Sequence, residues 1–193
     1  MGIVSTLRTT RLTGYRSEFE EALRLFARAS EAMKRRGLLA PVLVGGAAVE
    51  IYSKGAINTG DFDIVTARQA EFEEELRKLG FVRPTGASMS ARGWIHPEHH
   101  LGFEVVADRL LGGMADRDRI LLVDLGIDGE AAVISIEDMI ADRMGQFASG
   151  SAPEMREQAH RLFALYPDAD RAYMDARIRY ETGGDYGLED LDS

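Results

Sequence analysis

The pattern of apolar positions predicts a long amphipathic helix near the start of the chain. Apolar side chains recur there every three or four residues, the spacing that places them on one face of an α-helix. Ser17 and Glu20 form the capping-box pattern of a helix start, and Gly37 is typical of a helix end. The sequence therefore predicts a helix over residues 17–36. Its apolar positions are Phe19, Ala22, Leu23, Leu25, Phe26, Ala29 and Met33.

Short strands and helices alternate after this first helix. Residues 42–44 are a β-branched run that ends at a glycine pair, and residues 47–52 resume helical character. Residues 61–65 alternate polar and apolar side chains, as a half-buried strand does, and residues 71–79 have the pattern of a charged amphipathic helix. The predicted order over this part of the chain is therefore β-α-β-α.

The remaining elements divide the chain into a core and a helical part. Further strands are predicted at residues 103–106, 120–125 and 131–134, and three helices at residues 135–147, 153–165 and 168–180. The fold class is therefore α/β, a mixed β-sheet flanked by helices. We expect residues 1–134 to form this core, residues 135–180 to form a helical C-terminal part packed on it, and the acidic tail of residues 181–193 to be partly disordered.

The amino-acid composition limits which partners and which cellular compartment are expected for this protein. The 32 acidic residues outnumber the 23 basic ones, which gives a net charge of −9 and a field that repels duplex DNA and other polyanions. The chain contains no cysteine, which excludes disulfides and thiolate metal sites and favours the cytoplasm. No apolar run approaches the roughly 18–20 residues of a membrane helix, so no membrane association is expected.

Three acidic residues are the candidate chemical centre. Residues two apart in a strand share a face, so Asp61 and Asp63 place two carboxylates about 6–7 Å apart on one side of the chain. Glu104 lies in a separate apolar strand and completes the cluster if that strand is a neighbour. Carboxylate oxygens suit Mg²⁺ or Mn²⁺, and a site of this kind predicts metal-assisted phosphoryl or nucleotidyl transfer.

A glycine pair precedes these acids at a strand-to-helix junction. Gly45 and Gly46 would let the backbone approach a phosphate, and the helix N-terminus would offer free N–H donors. By itself a glycine pair is equally explained by turn geometry. The pair gains weight from its order along the chain relative to the three acids.

These features together resemble the nucleotidyltransferase superfamily. The resemblance covers about residues 42–106 and rests on the glycine pair, an acidic-hydrophobic-acidic strand and a later single acid. Residues 59–63 and 134–140 are also similar to the small bacterial and archaeal branch that includes toxin-like nucleotidyltransferases. The resemblance implies that Asp61, Asp63 and Glu104 bind metal and that one of them deprotonates an acceptor hydroxyl.

The sequence departs from that family at three positions that bear on substrate contacts. Ala47 stands where many members have a small polar residue, and Ile57 replaces an arginine common before the acidic strand. Arg143 stands where lysine is frequent, and it either binds the triphosphate or pairs with nearby carboxylates.

Other motifs give weaker predictions. His96, His99 and His100 lie in a loop without the spacing of a zinc helix motif, so they are interpreted as loop residues near a pocket mouth. Arg92 in the same segment is interpreted as a solvated side chain that could also reach a phosphate. Calcium-loop and Walker motifs are absent from the sequence.

The sequence thus predicts an enzyme that moves a nucleotide from a nucleoside triphosphate to a hydroxyl acceptor. The acceptor is open among RNA, a protein side chain and a small molecule. The alternative is a catalytically inactive protein of the same fold that acts as a binding or regulatory partner, for example in a toxin-antitoxin-like pair.

Overall fold

The computed structural model describes residues 5–8, 14–58, 60–84, 93–99 and 101–192. Its strands are β1 (Ser5–Arg8), β2 (Val42–Val44), β3 (Asp61–Val65), β4 (Trp94–His96), β5 (Leu101–Ala107), β6 (Leu121–Asp124) and β7 (Glu130–Val133). Its helices are α1 (Ser17–Arg35), α2 (Gly45–Tyr52), α3 (Gln69–Lys78), α4 (Ile136–Ala148), α5 (Met155–Leu165) and α6 (Arg171–Glu181).

The strands form one mixed sheet in the order β1-β6-β7-β2-β3-β5-β4. Three neighbouring pairs are parallel, namely β1–β6, β2–β7 and β3–β5, and the other three are antiparallel. The predicted α/β class with a mixed sheet and flanking helices is confirmed. The sequence pattern did not predict β1, because four residues are too few to establish a periodicity.

The hydrophobic core lies between α1 and one face of the sheet. The Phe19 ring packs on Phe62 with 5.1 Å between centroids, and the Phe26 ring packs on Phe103 at 6.4 Å. Phe62 and Phe103 contact each other at 5.1 Å across β3 and β5. Ring contacts of this kind bury large apolar areas and fix which face of each strand points inward. The opposite face of β3 and β5 is thereby left for polar side chains.

Two predicted helix starts have different outcomes. Ser17 does not cap α1, because the helix begins one residue earlier than the capping-box pattern requires and the N-cap position falls on Arg16, which makes no side-chain cap. Ser135 does cap α4, since its hydroxyl accepts a hydrogen bond from the Asp138 N–H at 3.1 Å. The capping-box pattern therefore locates the N-cap of α4 correctly and that of α1 wrongly.

A buried ion pair joins two of the C-terminal helices, α4 and α6. The Asp138 carboxylate of α4 is fully buried and accepts a hydrogen bond from Arg177 Nε of α6 at 2.7 Å. The Tyr173 hydroxyl donates to the same carboxylate at 3.0 Å. Arg177 also pairs with Glu181. A buried charge needs such partners to offset its lost hydration, so this network specifies how α6 packs on α4.

The acidic segment after α6 has defined contacts in the structure. Leu191 is buried, and residues Leu188–Asp190 form a short 3-10 turn. The Arg179 guanidinium donates to Glu189 at 2.8 Å, and Arg171 donates to Asp192 at 2.7 Å. Two helix arginines and one buried apolar side chain thus make the contacts of this segment, and its partial disorder stays a prediction. None of the helices within the described residues is long and apolar enough to cross a bilayer.

Candidate active site

The three predicted acids lie on the same face of two neighbouring strands. On β3, Phe62 and Ile64 point into the core, so Asp61 and Asp63 point to the other side. Asp63 is paired in register with Glu104 of the parallel strand β5. Residues paired in register share a face, so Glu104 projects beside Asp63. The expected placement of Glu104 on the same side as Asp61 is therefore what the structure shows.

The Asp61 side chain leans toward β5. Asp61 is paired in register with Gly102, and a Cβ atom on Gly102 would lie 3.2 Å from Asp61 Oδ1. The absence of a side chain at Gly102 thus leaves room for this carboxylate. Because both Asp61 and Glu104 reach the space beside Asp63, all three acids share one patch on β3 and β5.

The glycine pair at the start of α2 contacts Asp63 directly. Gly45 has a φ of +57°, and a Cβ atom there would lie 2.0 Å from Asp63 Oδ2. The Gly46 N–H faces the same carboxylate and lowers the pKa of Asp63. The free N–H at this helix start is therefore directed at a carboxylate of the protein itself. The sequence alone suggested a phosphate as its partner.

The environment of Asp63 opposes its negative charge. Burial raises the pKa of Asp63 above its usual value of 3.8, and the neighbouring charges of Asp61 and Glu104 raise it further. Arg143 and the Gly46 N–H act in the opposite direction and lower that pKa. The balance is a raised pKa, so the cluster favours a cation or a proton at Asp63.

Two cavities meet at Asp63 and Gly45. One has a volume of about 310 Å³ and lies between the start of α2 and the helices α4 and α5. The other, of about 320 Å³, lies over the sheet against the segment at Leu111 and Gly112. Gly45, Asp63 and Gln146 line both. Two substrates could therefore approach the same carboxylate from two sides.

Arg143 lines the first of these cavities. Its side chain is buried, and one terminal nitrogen donates to Gln146 Oε1 at 3.1 Å and contacts Met155 Sδ at 3.2 Å. The same nitrogen lies 3.8 Å from Asp142 Oδ2. Burial lowers the pKa of Arg143, while the charges of Asp142 and Asp63 raise it. Both interpretations of Arg143 thus have a contact in their favour, since it borders the cavity and also approaches a carboxylate.

The three carboxylates have the ligand chemistry that a hard divalent cation requires. Asp61, Asp63 and Glu104 offer only carboxylate oxygens, the ligands that Mg²⁺ and Mn²⁺ prefer. The mutual repulsion that raises the pKa of Asp63 is what a bound cation would relieve. Within the described ranges, however, no three or more His, Asp or Glu side chains are already gathered around one metal-sized position. Rotation of side chains on this face would be required for a shared ion.

Several residues around the site were not predicted from the sequence. Asp142, Gln146 and Arg109 line the cavity over the sheet, and Gln146 donates to Asp142 at 2.9 Å. Burial raises the pKa of Asp142, whereas Arg143 and Gln146 lower it. The helical periodicity of α4 was visible in the sequence, but which of its polar residues face β3 depends on how α4 docks.

Two of the histidines singled out in the sequence, His96 and His99, lie in and directly after the edge strand β4. His96 is buried, stacks on His99 with 4.4 Å between ring centroids, and packs edge-on against Phe81. His96 thus belongs to strand β4 and packs in the interior, which differs from the expected loop position near a pocket mouth, whereas His99 lies in the turn that follows. Arg92 and His100 lie outside the described residues.

The sheet, the helices and their order are those of the nucleotidyltransferase fold. The chain is similar to a nucleotidyltransferase-like protein from Paracoccidioides brasiliensis, with 12% identity, a TM-score of 0.58, and coverage of 92% of this chain and 94% of that one. It is also similar to the antibiotic-resistance factor ANT(2'')-Ia in a solution structure, with 16% identity, a TM-score of 0.50, and coverage of 83% and 90%.

A crystal structure of ANT(2'')-Ia in complex with adenylyl-2''-tobramycin is a further neighbour. Its identity is 16% and its TM-score 0.51, with coverage of 84% of this chain and 98% of that one. No protein-family model and no curated protein sequence matches the chain. At these identities the likeness defines the fold.

Proposed function

We propose that this protein is a metal-dependent nucleotidyltransferase that moves a nucleotide from a nucleoside triphosphate to a hydroxyl acceptor. The observation that carries the proposal is the position of Asp63. It is crowded by Asp61 and Glu104, is held by the Gly45–Gly46 turn, and lies where two cavities meet. A structural acid would have no need of two like charges beside it, because they only raise the cost of ionisation.

Each site residue has a role in this proposal. Asp61, Asp63 and Glu104 would hold Mg²⁺ or Mn²⁺, which when bound polarises the phosphate and lowers the pKa of the acceptor hydroxyl. One of these carboxylates takes the proton from that hydroxyl. Gly45 and Gly46 keep Asp63 in place and leave the backbone open to the nucleotide.

Arg143 is assigned to the nucleotide in this proposal. It borders the cavity between α2, α4 and α5, and its Nε is buried without a hydrogen-bond partner among the described residues. A guanidinium donor in this position suits the phosphates of a triphosphate. The cavity over the sheet is then left for the acceptor, on the other side of Asp63.

The acceptor belongs to one of three classes: RNA, a protein side chain or a small molecule. The neighbour solved with adenylyl-2''-tobramycin supports a small-molecule acceptor in the fold. The net charge of −9 disfavours a long polyanion over the whole surface. The small molecule is therefore the first class to test.

Label transfer tests the proposal. The protein is incubated with each nucleoside triphosphate labelled at the α-phosphate, with Mg²⁺, Mn²⁺ or a chelator, and with a panel of acceptors. Transfer that depends on the metal and is lost in Asp63→Asn supports the proposal. Asp168→Asn is the matched control, since Asp168 is exposed in the loop between α5 and α6. Loss of transfer in both variants, or transfer retained in Asp63→Asn, would contradict the site.

One observation favours the alternative of an inactive protein that binds nucleotide, as in a toxin-antitoxin-like pair. Ile57 lines the same cavity as Arg143, at the position where the resembling family commonly has an arginine. An apolar side chain there removes one contact to a triphosphate. Saturable thermal stabilisation by nucleotide and Mg²⁺ without any label transfer would select this alternative.

A further inference from the structure

A third cavity, of about 460 Å³, lies at the end of β3 away from Asp61. Its walls are the segment after α1, the residues that follow β3, and the segment that follows β5. The lining includes Thr66, directly after β3, and Arg109, beyond the end of β5. The cavity is therefore a neighbour of the acidic patch along the same two strands.

The lining of this cavity is positively charged in an acidic protein. Arg68, Arg109 and Arg117 line it, and Asp108 is the one carboxylate among the described residues of its wall. Arg68 and Arg109 have exposed side chains, with their nearest carboxylates at 3.7 and 3.9 Å. Weak pairs at such distances leave guanidinium donors available to a ligand. A chain with a net charge of −9 thus concentrates three cations around one concavity.

Arg117 is the best-positioned of the three arginines. Its side chain is half-buried and donates one hydrogen bond to the Ala40 carbonyl at 2.8 Å, which fixes its orientation. Among the described residues, no carboxylate lies within ion-pair distance of it, and burial alone lowers its pKa. A guanidinium has five N–H donors, so most of them remain for another partner.

The arginine cavity lies next to the cavity over the sheet. Arg109 lines both, and the segment Leu110–Gly113 separates them. Thr66 follows Asp63 by three residues in extended chain, which corresponds to about 10 Å. A small molecule anchored among the arginines could therefore reach Asp63 with its other end.

We propose that the arginine cavity binds the phosphate group of a small phosphorylated acceptor. Three guanidiniums and one carboxylate favour a dianion over a monoanion, and guanidinium pairs bind phosphate oxygens in a bidentate way. The α3 helix begins at Gln69, directly after the lining residue Arg68, so the positive end of its dipole adds to the same field. The role as an acceptor subsite rests on the proposed transfer function, whereas phosphate binding does not.

Calorimetric titration with inorganic phosphate, without nucleotide or metal and at constant ionic strength, tests the site. The protein should bind phosphate saturably, and Arg117→Gln and Arg68→Gln should each weaken the affinity about tenfold, because each removes a charge-assisted hydrogen bond. Arg161→Gln is the matched control, as Arg161 is an exposed arginine of α5 paired with Glu157. Arg143→Gln reports on phosphate bound in the nucleotide cavity instead.

Several results of this titration would overturn the phosphate site. An unchanged affinity in both Arg117→Gln and Arg68→Gln overturns the site, as does a loss confined to Arg143→Gln or the absence of saturable binding. Because Arg117 contacts Ala40, the exposed Arg68 carries the test if Arg117→Gln does not fold. Acetate should bind more weakly than phosphate, and equal affinity overturns the choice of a dianion.

The acceptor role has its own readout. Ribose 5-phosphate should bind as well as inorganic phosphate, whereas ribose should not, and exclusion of the sugar phosphate overturns the acceptor assignment. Phosphate binding that persists when no triphosphate transfers its label would refute the proposed function and leave the anion site standing.

Discussion

Substitution of Gly45 by alanine should be unusually costly, and the structure separates two reasons. The first is backbone strain, since a φ of +57° is left-handed and costs an L-residue about 1–2 kcal/mol. The second is steric, since the new Cβ would lie 2.0 Å from Asp63 Oδ2. Asp63 would have to move out of the way, and overpacking of this kind costs about 1–3 kcal/mol.

These two contributions add to a loss of about 2–5 kcal/mol in the free energy of unfolding. For a chain of this size, such a loss lowers the melting temperature by roughly 4–20 °C. Gly150→Ala is the matched control, because Gly150 has a φ of +74° and, in the part of the chain that the structure describes, no atom would lie within 4 Å of a Cβ atom there. It should lose only the strain contribution, about 1–2 kcal/mol. Urea denaturation followed by circular dichroism measures both variants.

A double-mutant cycle isolates the contact with Asp63. In an Asp63→Ala background, the carboxylate that blocks the new methyl group is absent. The cost of Gly45→Ala should then fall toward that of Gly150→Ala, with a coupling energy of about 1–3 kcal/mol. Equal costs of Gly45→Ala and Gly150→Ala in the wild-type background would refute the reasoning, because they would show that Asp63 is not held against the glycine turn.

Three further predictions concern charge. Asp63→Asn should remove the cost of ionising a buried acid. The metal-free wild type should therefore lose stability relative to this variant as the pH rises from 3.8 through the raised pKa of Asp63 in the folded state. Urea denaturation measures the difference in stability between the two proteins, and a difference that does not change with pH would contradict this prediction. Arg177→Met strands the buried Asp138 carboxylate and should cost about 3–5 kcal/mol at neutral pH, whereas Arg161→Met should cost almost nothing by the same measurement. Arg143→Gln should weaken binding of a nucleoside triphosphate about tenfold in a titration calorimeter, and unchanged affinity would assign Arg143 to Asp142 alone.

Local patterns in the sequence determined most of the helices and strands and the positions of several site residues on them. Alternation along residues 61–65 placed Asp61 and Asp63 on one face, because side chains in a strand alternate whatever the surrounding fold. The break at Gly45 predicted the strand-to-helix turn, since few other residues accept its backbone angles. The Ser135 cap was visible for the same reason, because a cap depends on residues only three apart.

Only the tertiary structure decided which distant residues meet. The pairing of Asp63 with Glu104 depends on β3 and β5 being neighbours in one register, and a shift of one residue would have turned Glu104 into the core. Asp142 and Arg109 reach the cavity over the sheet because of how α4 and the segment after β5 dock, which no local pattern encodes. Gly46 was matched to a phosphate from the sequence, whereas the fold directs its N–H to Asp63. Periodicity within an element is a local property of the chain, but contact between elements is set by packing of the whole core, and the site is made of such contacts.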